Sequence, residues 1–67
     1  MKTWNAGQIG MSNGAYAGRD VAFMDHGDRV GGKLTRSDRA PDGQPYTYLW
    51  VDGEFFKVAN TTLVEVA

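Results

Sequence analysis

Several groups of side chains in this sequence have the types and spacing to do chemistry. Asp25, His26 and Asp28 place two carboxylates and an imidazole in one tight turn, a set that could hold a divalent cation weakly or set a base beside an acid. A turn this short cannot wrap the roughly six to eight oxygens that Ca²⁺ prefers. His26 also has no nucleophile or orienting partner among its neighbours, so the cluster reads as solvated turn residues. Gly27-Asp28-Arg29-Val30-Gly31-Gly32-Lys33 reproduces the G-x4-G-K part of a phosphate-binding loop, whose backbone N–H groups would cradle phosphates while Lys33 neutralised them. Leu34 stands where the Mg²⁺-binding hydroxyl belongs, and the segment reads as strand within a hairpin rather than strand followed by helix. With no Cys and a single His in the chain, disulfides, thiolate metal sites and an all-protein zinc cage have no basis. No convergent acid, base and nucleophile remains, so neither enzymatic activity nor a cofactor nor a metal is expected.

Two other groups point to binding. Arg29, Lys33, Arg36 and Arg39 against Asp38 give residues 29–39 a charge of +3, and residues 40–67 carry −3. A basic strip of this kind could lie along nucleic-acid phosphates with an exposed aromatic stacking on bases. The formal net charge of −1 falls short of the footprint of a dedicated nucleic-acid binder, which favours a solvated face. The same uneven layout would suit contact between copies, basic strip to acidic edge. The second group is aromatic. If Asp52-Gly53 is a two-residue turn, Trp50 lies opposite Phe55 and Tyr48 opposite Lys57, so Tyr46, Tyr48, Trp50, Phe55 and Lys57 share one face. Thr47, Leu49, Val51, Phe56 and Val58 share the other. Leu and Val carry no polar atoms that need partners, so theirs is the interior face; Tyr and Trp favour places where one end stays wet. An aromatic face of that size needs a cover, and the candidates are the opening segment with Trp4, Ile9, Met11 and Tyr16, a second copy, or a foreign ligand.

The elements that must position these residues are short strands. Gly7 to Gly18 contains four Gly and an Asn13-Gly14 pair, which predicts a long loop after a short first strand and no regular helix. A His26-Gly27 turn pairs Met24 with Arg29, Phe23 with Val30, Val21 with Gly32 and Asp20 with Lys33, and sorts Val21, Phe23, Val30 and Leu34 onto one side. That register sets Asp25 against Asp28, an unfavourable pair that would be relieved by a four-residue loop. Gly31-Gly32 predicts a bulge or sharp bend where the strand passes from one sheet to the next. Ser37 to Pro45 holds both prolines and Asp42-Gly43, the chemistry of a solvated connection. Tyr46–Val51 and Glu54–Ala59 form the clearest hairpin, Asn60-Thr61-Thr62 is a short turn, and Leu63–Val66 is the last strand.

Five short strands joined by a long Gly-rich loop, two tight hairpins, a Pro-rich loop and a one-turn connector resemble the SH3-like small-barrel pattern. The residues that carry the likeness are G-D-R-V-G-G-K-L, the V-D-G-E hairpin and the closing F-K-V-A-N-T-T-L-V-E-V. The Sm-like barrel is similar through V-A-F-M-D-H-G-D-R-V-G-G-K-L-T-R-S-D but would start with a helix. The likeness implies an all-β, five-stranded fold and no particular function. SH3-like domains often hold Pro-rich peptides in aromatic grooves beside the long loop, which here would be Tyr16, Tyr48 and Trp50. The acidic cluster of peptide-binding members is replaced by Ser12-Asn13-Gly14-Ala15. Plasmid-encoded trimethoprim-resistant dihydrofolate reductases are also similar small barrels, with one active site at the centre of a tetramer. This chain reads E-F-F-K where their V-Q-I-Y segment would stand.

Sixty-seven residues allow one domain, 1–67, and a chain this small buries only about 60% of its unfolded surface. The 42% apolar and 22% charged content is that of a folded domain rather than a disordered one. No run approaches the ~18 apolar residues of a membrane span and no signal peptide opens the chain, so the expectation is a cytoplasmic protein without a membrane partner. The small, Cys-free unit is compatible with a phage or mobile-element accessory. Together these observations predict a non-catalytic binding or assembly module that meets a protein or another copy of itself through Tyr16, Tyr46, Tyr48, Trp50, Phe55 and Lys57. A nucleic-acid accessory using Arg29, Lys33, Arg36 and Arg39 is the alternative, and an oligomeric small-barrel reductase the remote one.

Overall fold

A computed structural model describes residues 2–67. Over these residues the fold is all-β apart from one short helix and one 3-10 turn. In chain order it has β1 (Lys2–Asn5), α1 (Ala6–Gly10), β2 (Asp20–Asp25), β3 (Asp28–Arg39), a 3-10 turn at Pro41–Gly43, β4 (Tyr46–Val51), β5 (Glu54–Ala59) and β6 (Leu63–Val66). The six strands form one antiparallel sheet in the order β1-β6-β2-β3-β4-β5. No helix among the described residues is long and apolar enough to cross a membrane.

Both hairpins turn on two residues with positive φ, His26 (49°) and Gly27 (84°) in the first, Asp52 (52°) and Gly53 (80°) in the second. This is the mirror-image turn whose twist matches that of the flanking strands. The first hairpin keeps the expected pairs from Asp20↔Lys33 to Met24↔Arg29, and it keeps Asp25↔Asp28 as well. The four-residue loop is therefore not used. His26 Nε2 lies 3.8 Å from Asp25 Oδ1 in a tip open to water, where solvent screens the two carboxylates.

The chain bends where Gly31-Gly32 predicts it. β3 pairs with β2 through its first half and with β4 through its second, with a register shift between Leu34 and Arg36. At Gly32 a Cβ would stand 2.9 Å from Val51 Cγ1 and would overlap the Asp52 carboxylate, so only glycine lets the β4–β5 turn close on the bend. Asp52 fixes that approach by accepting the Lys33 N–H at 3.0 Å. Curling brings the inner faces together. Val21, Phe23, Leu34, Leu49, Val51, Val58, Val64 and Val66 are buried in one cluster, and Phe23 of β2 meets Phe56 of β5 edge to face at 5.6 Å.

Three expectations need correction. Among the described residues the strands number six, not five: the short first strand, Lys2–Asn5 paired with β6, stands in addition to the two hairpins and the last strand. Ser37 to Arg39 continue β3, so the connection before β4 is shorter than Ser37 to Pro45. The Gly-rich stretch opens with α1, whose Asn5 N–H donates to Gln8 Oε1 at 2.9 Å. The two glycines of α1 serve close packing, while Gly14 and Gly18 further on take positive φ in the loop. A Cβ on Gly10 would lie 2.6 Å from Thr47 Cγ2, and one on Gly7 3.1 Å from Asn60 Cβ. With both side chains absent, α1 seats Ala6 and Ile9, each fully buried, in the core.

Candidate functional site

Period-two alternation along β4 divides its side chains cleanly. Thr47, Leu49 and Val51 are buried, while Tyr46, Tyr48 and Trp50 point outward and are half-buried by one another. β5 adds Phe55 opposite Trp50 and Lys57 opposite Tyr48. The result is a contiguous platform of four rings. Tyr46 and Tyr48 have centroids 5.4 Å apart, Tyr48 and Phe55 5.3 Å, and Trp50 and Phe55 5.2 Å, all tilted. Phe55 is 50% exposed, an unusual state for a ring beside a core.

Two cations sit on this platform. Arg36 of β3 pairs with Trp50 in register, and its guanidinium carbon lies 4.9 Å above the indole ring. Lys57 Nζ lies 4.1 Å from the Tyr46 ring centroid. Both distances are within the range of cation–π attraction. Arg36 also donates Nε–H to Asp38 Oδ2 at 2.9 Å, so Asp38, beside Tyr48 in the β3–β4 ladder, completes a polar margin. The Tyr48 phenol is raised from its ordinary value, chiefly by hydrogen bonding with the Tyr46 hydroxyl, then by partial burial and by the charge an ionised Tyr46 would carry.

The opening segment borders these rings at Tyr46, beside Met11, and at Tyr48, beside Asn13 and Gly14, and stacks no ring of its own on them. Its Ala6 and Ile9 are in the core on the other side of the sheet. Trp4 packs on Tyr16 at 5.9 Å, with the Arg19 guanidinium carbon 5.7 Å from the Tyr16 ring. These residues line a separate groove with Lys2 and Val66. Tyr16 therefore stands apart from Tyr46, Tyr48, Trp50, Phe55 and Lys57, which the structure brings together. Met11 is exposed beside Arg39, Pro41 and Tyr46 in a further groove.

The basic residues are not brought into one row. The bend of β3 leaves Arg29 and Lys33 in the β2–β3 ladder and Arg36 and Arg39 in the β3–β4 ladder. Arg29 is tied to Glu65 at 3.1 Å and Arg36 to Asp38. Sequence reasoning missed Arg36 and Asp38 as part of the aromatic face. The signal was available only through the register shift before Arg36, which sets its side chain beside Trp50. Comparisons with protein-family models, with curated proteins and with solved structures give no match.

Proposed function

We propose that this chain is a non-catalytic binding or assembly module that receives a protein surface on the outer aromatic face of β3, β4 and β5. The carrying observation is the four-ring platform of Tyr46, Tyr48, Trp50 and Phe55, turned outward from the core with Phe55 half exposed. Aromatic rings with a charged margin of Arg36, Asp38 and Lys57 are the composition of an interface centre and its rim. The curled sheet is read as a small barrel of the SH3-like kind. Its support is the pair of two-residue hairpins, the one-turn connector before β6 and the Phe23–Phe56 contact across the interior. A protein ligand is preferred to nucleic acid because two of the four strip cations are paired with carboxylates and the strip is divided by the bend.

The test is a peptide-library selection together with sedimentation over a concentration series, on the wild type and on a Tyr48→Ser/Trp50→Ser variant. The reading predicts self-association or selected peptides whose affinity falls at least about tenfold in the variant, the loss expected when central aromatic contacts are removed. Binding and association that are absent, or indifferent to the two substitutions, would remove the face from consideration.

A further inference from the structure

We infer that the aromatic face is extended by a second copy of this chain, paired edge to edge through β5. The inference rests on the aromatic-face reading and names its occupant. β5 is a terminal strand of the sheet, with β4 on one side. Asp52-Gly53 is a two-residue turn, so Val51 and Glu54 form a hydrogen-bonded pair, and every second pair from there does the same. Trp50↔Phe55 and Tyr48↔Lys57 are then the non-hydrogen-bonded pairs. The N–H and C=O groups of Phe55 and Lys57 consequently point away from β4, and no hydrogen bond from the described residues meets them. An exposed row of this kind is a template for another strand.

Self-complementarity selects the occupant. A two-fold axis at Phe56 sets Phe55 against Lys57 of the partner subunit and Lys57 against the partner subunit's Phe55, so the N–H and C=O groups of both residues are matched on each strand. In that register the two side chains brought together on the outer face are a cation and a half-exposed ring, which attract. Moving the axis to Lys57 would instead oppose two lysines, a repulsive pair. The chosen register also makes the two four-ring platforms one continuous face, centred on the rings nearest the edge.

The full-length chain tests this by sedimentation and by amide hydrogen exchange read residue by residue. The expected result is a mass that doubles as concentration rises, with the Phe55 and Lys57 amides slowed at least about tenfold in the paired state and fast in the dilute one. Lys57→Pro removes an outward donor that β4 does not use and is tolerated at a sheet edge, so it should give a folded monomer with an unchanged circular dichroism spectrum. If that variant does not fold, the exchange measurement on the wild type decides alone. A chain that stays monomeric to about 1 mM, or a dimer in which both amides exchange as freely as in the monomer, overturns the pairing. Face-dependent peptide binding by a monomeric chain would overturn the pairing while leaving the proposed function standing; loss of both would remove both.

Discussion

Tyr46 and Tyr48 stand side by side on the outer face, with ring centroids 5.4 Å apart, and that contact has a titration signature. The neighbouring Tyr46 hydroxyl is the main cause favouring the neutral form of Tyr48, so its folded-state value lies above the unfolded one. A raised value contributes stability that is fully present below the ordinary tyrosine range and is lost as pH rises through the folded value. We expect the Tyr48 phenol to titrate above the ordinary tyrosine range in the ultraviolet alkaline titration, and Tyr46→Phe to lower it. If Tyr46→Phe leaves the titration curve unmoved, the two hydroxyls do not interact. Gly10 makes the second residue-level case. Its missing Cβ would lie 2.6 Å from Thr47 Cγ2 and 2.9 Å from Thr47 Oγ1, the oxygen that donates to Asn60 Oδ1 at 2.7 Å. Gly10→Ala should therefore cost about 1–3 kcal/mol by overpacking, despite alanine's better helix propensity. A denaturant midpoint equal to or above that of the wild type would show that α1 can back away from β4 freely.

The hairpins are the elements most legible in the chain, because turn chemistry and side-chain period fix the same register. Asp52-Gly53 and His26-Gly27 each specify a two-residue turn, and once that is set every partner from Tyr46↔Ala59 to Val51↔Glu54 follows by counting. The outward position of Tyr48, Trp50 and Phe55 was readable on the same ground. What the pattern hides is long-range contact. Gly7 and Gly10 look like loop residues because local propensity says so, yet their place is set by Asn60 and Thr47, which are distant in sequence. Arg36 joins the aromatic face through a register shift that no local signal in Leu34-Thr35-Arg36 announces. The turn of the second hairpin also does a long-range task, since Asp52 Oδ1 accepts the Lys33 N–H and the Gly53 N–H donates to Thr35 Oγ1 at 3.3 Å. Asp52→Ala removes that tie and leaves a residue ill-suited to positive φ, so it should lower stability by about 1–2 kcal/mol. Asp52→Asn keeps an acceptor and tolerates the turn, and is expected within about 0.5 kcal/mol of wild type. Equal midpoints for the two variants in urea would mean that the tip does not hold the bend.

The whole molecule exposes 4217 Å², against about 4,200 Å² for a compact monomer of this mass by the surface-scaling relation. One copy therefore closes its own core, and the outer rings lie outside it. The charge distribution makes the complementary statement about what binds. A formal net charge of −1 means that long-range attraction to a polyanion is absent. Locally, Glu65 and Asp38 already occupy Arg29 and Arg36. Lys33 and Arg39 remain as exposed cations of the strip, placed in different ladders of the bent β3. Phosphate binding gains its free energy from counterion release, which grows with the number of phosphates neutralised together. Two separated cations supply a slope of about −2 at most in log affinity against log salt on double-stranded DNA, too shallow for useful affinity at physiological ionic strength. Titration of labelled single- and double-stranded oligonucleotides at about 50 mM salt should accordingly give no affinity tighter than the non-specific range of about 10⁻⁴ M. Micromolar binding with a steep salt slope, weakened alike by Arg36→Ala and by Trp50→Ala, would mean that the rings stack on bases and that the strip reassembles on contact. The protein-binding reading would then give way to the nucleic-acid one.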